Sequence, residues 1–444
     1  MLTDELIIYT DFDENEILFD VVSLFEAAEE DGLLQNTDSY RQETHYMQKH
    51  QLLKKRYFKC MHRLTEHAAT HGFFGNIWHC YLTNLLVNHE NSYSRASEIR
   101  GNIEGSINKT VLHDMRLFKE LFAYNFEQLA KKLGLEEAFD VAGYEADSQS
   151  GKIYNTRIRD RICQLSVKLA GAKDGTEMKE VLTQFYKEYG VGRFGLHKAF
   201  RVVHDDKGVQ IVPILNIAHV KLDDLVGYDI PKKKLTDNTD AFVNGKKCNN
   251  CLLFGDAGTG KSSSIKAIAN EYYDRGLRII EIYKHQFQDL NDVIAQVKNR
   301  NYKFIIYMDD LSFEDFEIEY KYLKAVIEGG LEKKPNNVLI YATSNRRHLV
   351  REKFSDKEDR RDDLHAGDTV QEKLSLVARF GVSIFFCAPN KKEFQNIVKT
   401  LAIRYGVTMD EDTLLAEANK WELSHGGLSG RTAQQFIDYL LGQQ

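Results

Sequence analysis

The chain has 444 residues, of which 43% are hydrophobic and 28% charged, and its formal net charge is −7. This length allows two or three domains, each with its own core. The sequence has no apolar run long enough to span a membrane and no secretory signal pattern, so we expect a cytoplasmic protein without membrane insertion. The acidic balance argues against broad nonspecific binding of nucleic acid, and six scattered cysteines do not indicate a disulfide framework.

The first part of the chain is predicted to be mostly α-helical. Apolar residues recur at helical spacing over residues 13–30, 39–70, 73–88, 109–133, 153–169 and 176–189. Acidic residues are concentrated at the start, before the first basic residue, Arg41. They form either a solvated helix face or a docking surface for a basic partner. The histidines between His45 and His79 do not have zinc-ligand spacing, and we find no catalytic constellation in this part.

The pattern changes near residue 199, where alternating apolar residues predict a β-hairpin with its turn at residues 205–208. Five strand candidates then alternate with helices, at residues 250–254, 278–283, 303–308, 337–343 and 382–387. This alternation is typical of a parallel sheet built from βαβ units. We therefore divide the chain into a mostly helical N-terminal domain (1–197), a β-hairpin and linker (198–219), an α/β domain (220–389) and a C-terminal helical lid (390–444).

Residues 255–262 have the sequence Gly-Asp-Ala-Gly-Thr-Gly-Lys-Ser, which fits the phosphate-binding pattern G-x-x-x-x-G-K-[ST]. An apolar strand precedes this loop and a helix predicted over residues 263–273 follows it, which is the context that the loop requires. Its glycines allow backbone N–H groups to converge on phosphate oxygens at the helix N-terminus. Lys261 is expected to contact the phosphates and Ser262 the Mg²⁺ ion. The residues assigned to nucleotide binding here are Gly255, Asp256, Ala257, Gly258, Thr259, Gly260, Lys261, Ser262 and Ser263.

Polar side chains follow the third and fourth predicted strands, where the active residues of such sheets lie. Asp309 is placed to hold Mg²⁺, and Asp310 to orient or deprotonate the attacking water. Many ATPases have Glu at this second position, so Glu314 is a substitute candidate. Asn345 either holds the water against the γ phosphate or caps the next helix.

With these motifs in place, the second part of the chain resembles an AAA+ ATPase module, a P-loop NTPase with a five-stranded parallel sheet and a helical lid. Residues 222–228 match the segment that lies over the adenine, which implies nucleotide contacts from Val226 and Gly227. The resemblance also implies that Asn345 is sensor 1, that Arg379 is the arginine finger and that Arg431 is sensor 2.

More narrowly, the sequence resembles a bacterial AAA+ family described only as a domain of unknown function. The shared motifs are Asp-Asp-Leu-Ser-Phe-Glu at 309–314, Ala-Thr-Ser-Asn-Arg-Arg-His-Leu at 342–349, and Glu-Lys-Leu-Ser-Leu at 372–376 followed by Arg-Phe-Gly at 379–381. This resemblance covers residues 198 onward and supplies no substrate.

These features predict an oligomeric ATPase that binds ATP and Mg²⁺ and remodels, loads or switches a macromolecular partner, a protein rather than a nucleic acid. An arginine finger would come from a neighbouring subunit, so activity would depend on assembly. Residues 283–287 lack the glycine of an aromatic pore loop, which argues against a threading unfoldase. The alternatives are a nucleotide-dependent scaffold with little hydrolysis, suggested by Asp310, and a P-loop kinase for a small molecule, which leaves Asn345 and Arg431 without a role.

Overall fold

The computed structural model describes residues 1–13, 15–33, 40–135, 139–145, 155–206, 208–313, 319–328, 335–345 and 378–443. The chain forms two compact units, Met1–Leu196 and His197–Gln444. Among the described helices, none is both long and apolar enough to cross a membrane.

The first unit is helical, as the apolar periodicity predicts. The predicted helix over residues 109–133 is in fact two helices, because the chain breaks after Phe122 and the side chain of Asn125 accepts a hydrogen bond from the backbone N–H of Gln128 to start a new helix. The helices of this unit are α1 (Ile17–Leu33), α2 (Tyr40–His71), α3 (Ile77–Asn88), α4 (Ser92–Arg100), α5 (Ile107–Phe122), α6 (Phe126–Lys132), α7 (Thr156–Gly171), α8 (Gly175–Tyr189) and α9 (Gly192–Leu196).

The N-terminal segment is attached to the first unit through a buried carboxylate. Asp114 on α5 is fully buried and accepts hydrogen bonds from the backbone N–H groups of Ile7, Ile8 and Tyr9, at 3.0, 2.7 and 3.0 Å. Asp20, one of the clustered acidic residues, forms an ion pair with Arg63 within the same unit. Part of the acidic N-terminus is therefore engaged in the fold of this unit.

The second unit is built on a seven-stranded sheet rather than the five-stranded sheet that the sequence predicts. The strands are β1 (Ala199–Asp205), β2 (Gly208–Pro213), β3 (Cys251–Gly255), β4 (Leu277–Glu281), β5 (Lys303–Met308), β6 (Val338–Ser344) and β7 (Val382–Phe386). Their order is β2-β1-β4-β5-β6-β3-β7. The predicted hairpin is not a separate linker, because β1 pairs in parallel with β4 and adds both of its strands to the sheet edge.

Both faces of the sheet are covered. Alternate strand residues, such as Leu253 on β3 and Ile305 on β5, pack in one core with α10 (Asp229–Val243) and α11 (Lys261–Tyr272), while the intervening Leu252 and Ile306 are also buried. Helices α12 (Leu290–Val297) and α13 (Glu319–Glu328) contact each other. The connection from β3 to β4 crosses the sheet in one direction, whereas the connections from β4 to β5 and from β5 to β6 run in the other direction. Because such crossovers are right-handed, α12 and α13 lie on the opposite face of the sheet from α11.

The chain ends in three helices, α14 (Lys391–Tyr405), α15 (Glu411–Ser424) and α16 (Gly430–Leu441), which we call the C-terminal bundle. Each begins at a capping side chain, respectively Asn390, Asp410 and Ser429. Their apolar faces share a core that includes Phe394 and Phe436. The bundle is thus a compact element with its own core.

Candidate functional site

The phosphate loop connects β3 directly to α11, as its sequence predicts. Gly255, Gly258 and Gly260 have φ angles of 137°, 74° and 88°, a backbone region that side chains other than glycine rarely adopt. At Gly255 a Cβ atom would also collide with the carbonyl oxygen of Phe386 on the neighbouring β7. The glycines therefore permit both the loop conformation and its close approach to the sheet.

Lys261 is the first residue of α11, and its side chain folds back onto the loop. The residue is only 7% exposed, and its Nζ donates to the carbonyl oxygens of Gly255 and Asp256 at 3.0 and 2.6 Å. Burial lowers the pKa of Lys261 from its usual value, although the nearby carboxylates of Asp256, Asp310 and Asp309 oppose this shift. A phosphate placed in the loop would supply the buried ammonium with an anionic partner.

Asp256 has a different role from its neighbours in the loop. Its Oδ2 accepts the backbone N–H of Ala388 at 2.7 Å, and its own N–H donates to the carbonyl oxygen of Phe386 at 3.0 Å. These bonds hold the loop against the end of β7. Of the predicted loop residues, 257–263 line the adjoining cavity, whereas Gly255 and Asp256 are not among its lining residues.

Asp309 is held at the end of β5 by three hydroxyl groups. Thr343 Oγ1, Tyr307 OH and Ser262 Oγ all donate to Asp309 Oδ1, at 2.6, 2.7 and 2.7 Å. Desolvation by itself would raise the pKa of Asp309, but the hydrogen bonds from Thr343, Tyr307 and Ser262 outweigh it and leave the pKa below its usual value. A charged carboxylate next to a serine hydroxyl is a suitable donor set for Mg²⁺.

Asp310 and Asn345 come together from adjacent strands. Asn345 Nδ2 donates to Asp310 Oδ1 at 2.8 Å. Asp310 has a φ of 49°, uncommon for a residue other than glycine, and its N–H donates to Thr343 Oγ1 at 3.0 Å. Thr343 therefore contacts both carboxylate residues at this strand end.

The C-terminal bundle closes the other side of the loop. The backbone N–H of Arg431 donates to the carbonyl oxygen of Gly258 at 3.2 Å. A Cβ atom on Gly258 would lie 2.9 Å from Ser429 Oγ and 3.1 Å from Arg431 Cβ. The start of α16 thus packs directly on the phosphate loop.

Many of these groups surround one cavity of about 630 Å³. Lys261, Ser262, Asp309, Asp310, Asn345 and Arg431 are among its lining residues. Apolar side chains also line it, from the segment before α10 and from α14, namely Leu225, Val226, Ile397 and Leu401. A lining that combines charged and apolar side chains suits a ligand that joins phosphates to an organic ring.

Tyr228 also lines this cavity and has an unusual backbone conformation. Its φ is 59°, its ring lies 5.5 Å from that of Phe386, and its hydroxyl is buried without a hydrogen-bond partner among the described residues. Burial raises its pKa to about 12, so the phenol stays protonated at neutral pH. Of the two residues expected to contact the nucleotide from this segment, Val226 lines the cavity and Gly227 is not among the lining residues.

The remaining predicted catalytic residues are Glu314 and Arg379. Glu314 is outside the described residues. Arg379 is described and only partly exposed, immediately before the fully buried Phe380, but it is not among the described residues that line the cavity.

Sequence reasoning missed Tyr307 and Thr343 as supports for the carboxylates. One signal was present, because Tyr307 precedes Asp309 by two residues at the end of a strand, and such residues point to the same face. No comparable signal identifies Thr343, whose contact with Asp309 depends on the pairing of β5 with β6.

The sheet, the phosphate loop and the C-terminal bundle define a P-loop nucleotide-binding protein of the AAA+ class. The family model described as "Protein of unknown function (DUF815)" matches residues 195–444, more than half of the chain. The chain therefore belongs to this family, in agreement with the resemblance found in the sequence.

Other proteins are similar to this chain either over a short segment or at low sequence identity. The replication factor C large subunit of Staphylothermus marinus is 36% identical over 74 residues, which is 16% of this chain and 17% of that protein. The match thus spans about a sixth of the relative's length. Among solved structures, a mutant of Thermotoga maritima RuvB is similar over 49% of this chain and 64% of its own, with 16% identity and a TM-score of 0.35. The Thermotoga maritima RuvB Holliday junction branch migration motor is similar over 49% and 71%, with 14% identity and a TM-score of 0.32.

Proposed function

We propose that this protein binds ATP with Mg²⁺ in the described cavity and hydrolyses it. The observation that carries this proposal is the convergence on one cavity of a buried lysine, a Ser262–Asp309 pair, an Asp310–Asn345 pair and an arginine from the C-terminal bundle. Transfer of a phosphoryl group spreads negative charge over the γ oxygens, so groups of this kind are needed on several sides.

Each group has a distinct part in this proposal. Lys261 and the loop N–H groups would bind the phosphates, and Ser262 and Asp309 would hold the metal ion. Mg²⁺, when bound, neutralises charge on the β and γ phosphates. Asp310 would orient and deprotonate the attacking water, and the Asn345 amide fixes the orientation of that carboxylate. Arg431 would contact the phosphates from the bundle, which would act as a lid.

Hydrolysis is tested by measuring ATP turnover and binding for the wild type and for Lys261→Ala, Asp309→Ala and Asp310→Asn. We expect Lys261→Ala to lose ATP binding, and Asp310→Asn to keep binding but lose at least a hundredfold in turnover, the usual scale for a general base. Turnover that survives Lys261→Ala in a folded protein would refute the proposal.

We also propose that the active form is an oligomer in which Arg379 reaches the nucleotide of a neighbouring subunit. The AAA+ class and the position of Arg379 outside the cavity of its own chain support this. In mixtures of Arg379→Ala and Lys261→Ala proteins, each inactive alone, activity should return, because some interfaces combine an intact loop with an intact finger. Failure of every mixture to regain activity would contradict this assignment.

The work of the ATPase would be done on a macromolecular partner, which we propose is a protein. The net charge of −7 does not favour the phosphate backbone of a nucleic acid. Asp310→Asn protein loaded with ATP would be used to capture the partner. Nuclease treatment that releases the captured material would show that the partner is held through nucleic acid and would overturn the choice of a protein.

A scaffold that binds ATP with little hydrolysis is the second candidate. The identity of Asp310 favours it, because its side chain is one methylene shorter than that of the Glu found at this position in many ATPases. Tight ATP binding without turnover at any protein concentration would support this alternative.

A further inference from the structure

The segment of residues 218–228, here called the strap, runs between the hairpin and α10 and forms one wall of the cavity. Asp224, Leu225, Val226 and Tyr228 supply that wall. All eleven residues of the strap are described, and none falls in the buried class. Val226 and Tyr228 pack against neighbouring hydrophobic cores, although neither residue is itself fully buried.

The strap is also held by hydrogen bonds to its backbone carbonyl oxygens. Asn270 on α11 donates to those of residues 218 and 220 at 3.0 and 2.8 Å. Lys232 on α10 donates to that of Leu225 at 2.8 Å. Arg404 on α14 donates through Nη1 and Nη2 to those of residues 224 and 223, both at 3.1 Å. Two of these attachments come from helices beside the sheet, and the third comes from the C-terminal bundle.

Arg404 lies on the same side of α14 as the apolar residues that line the cavity. Ile397, Leu401 and Arg404 are spaced by four and then three residues, which places them on one face of a helix. Val226 of the strap also packs against the core of the bundle. One face of α14 thus contributes both the apolar lining residues of the cavity and the arginine that bonds the strap.

We propose that Arg404 is a positioning residue: by binding the strap carbonyl oxygens it fixes the strap opposite α14 and so shapes the slot between them, which by the family resemblance receives the adenine. A planar guanidinium has two parallel N–H groups that match two adjacent carbonyl oxygens, which a single ammonium group cannot reproduce. The Arg404–Asp224 ion pair, at 3.5 Å, is partly exposed and adds less. This inference rests on the proposed nucleotide site.

The test compares the binding of ATP with that of inorganic tripolyphosphate, each with Mg²⁺, by calorimetric titration of the full chain. Tripolyphosphate reaches the phosphate loop but has no group for the slot. In Arg404→Ala we expect ATP to bind about tenfold more weakly, the scale of one or two lost charge-assisted hydrogen bonds, and tripolyphosphate to bind within twofold of wild type. Arg404→Lys should fall between the two.

Lys399→Ala is the matched control, because Lys399 lies on the same helix but forms a solvent-exposed ion pair with Glu411 of α15. We expect it to leave both ligands unaffected. Equal weakening of ATP and tripolyphosphate in Arg404→Ala, or no weakening of either, would overturn the inference. A wild-type protein that binds the two ligands equally would also overturn it. These outcomes differ from failure of the nucleotide site itself, in which Lys261→Ala would still bind ATP.

Discussion

The Thr343→Val substitution tests the arrangement of the carboxylates most directly. It removes a hydroxyl that donates to Asp309 Oδ1 at 2.6 Å and accepts from the N–H of Asp310 at 3.0 Å, while it nearly preserves side-chain volume. A hydrogen bond to a charged acceptor contributes about 1.5–3 kcal/mol. Because Tyr307 and Ser262 still donate to the same oxygen, we take the lower figure, about 1.5 kcal/mol, which corresponds to roughly a tenfold change in an equilibrium constant. Groups that orient a metal ligand typically change metal affinity by about 10- to 100-fold.

We therefore expect the Mg²⁺ concentration for half-maximal ATP binding or turnover to rise about tenfold in Thr343→Val. The pH dependence should shift as well. The pKa of Asp309 is lowered in the folded protein, so its charge is kept until the pH falls through that low value. Loss of one donor raises this pKa, and Mg²⁺-dependent binding should therefore fail at a higher pH in the variant than in the wild type.

Thr343→Ser, which keeps the hydroxyl, should retain the wild-type Mg²⁺ midpoint. Thr239→Val makes the same substitution at a fully buried hydroxyl on α10, which donates to the carbonyl oxygen of Leu235, and should not change the midpoint either. An unchanged midpoint in a folded Thr343→Val protein, or an equal shift in Thr239→Val, would refute the reasoning.

Three further substitutions test other parts of the fold. Asp114→Ala leaves three backbone donors without their acceptor, so the free energy of unfolding of the first unit, measured with urea, should fall by about 3–5 kcal/mol. A decrease of less than about 1 kcal/mol would contradict the role of Asp114 as a buried acceptor. Burial lowers the pKa of His67 to about 3, below its unfolded value, so the unfolded state takes up the proton first and stability should fall by up to about 1.4 kcal/mol per pH unit below roughly pH 6.5. His67→Gln should flatten this slope and the exposed His62→Gln should not, and equal slopes in both variants would exclude His67 as the cause. Gly258→Ala and Gly276→Ala both force a residue with a side chain to a positive φ, which costs about 1–2 kcal/mol, but only at Gly258 does the new Cβ also contact the C-terminal bundle. ATP affinity should therefore fall in Gly258→Ala alone. An equal fall in both variants would show that backbone strain by itself explains the loss.

Local patterns in the sequence predicted much of the fold because they depend on neighbouring residues. The helical periodicity of the first unit and the alternation of strands and helices in the second are properties of short segments, and so is the Gly255–Ser262 loop. The carboxylates at 309 and 310 and the amide at 345 were predicted to lie at the carboxyl ends of their strands, where the active residues of parallel sheets are found. The Asn345–Asp310 hydrogen bond is in keeping with this placement.

Tertiary structure decided what depends on pairing between distant segments. The hairpin was predicted, but its addition to the sheet depends on the pairing of β1 with β4, about which the hairpin sequence carries no information. Thr343 supports Asp309 only because β6 lies beside β5.

The same limit applies to the C-terminal bundle. Arg404 reaches a carbonyl oxygen 180 residues away, and the start of α16 packs against the phosphate loop. Periodicity predicted the helices, the loop motif predicted Lys261 and Ser262, and the family resemblance implied a role for Arg431. The contacts across the cavity depend on the whole fold and not on neighbours in sequence. They were determined only by the packing of the sheet and the bundle, which brings remote parts of the chain together.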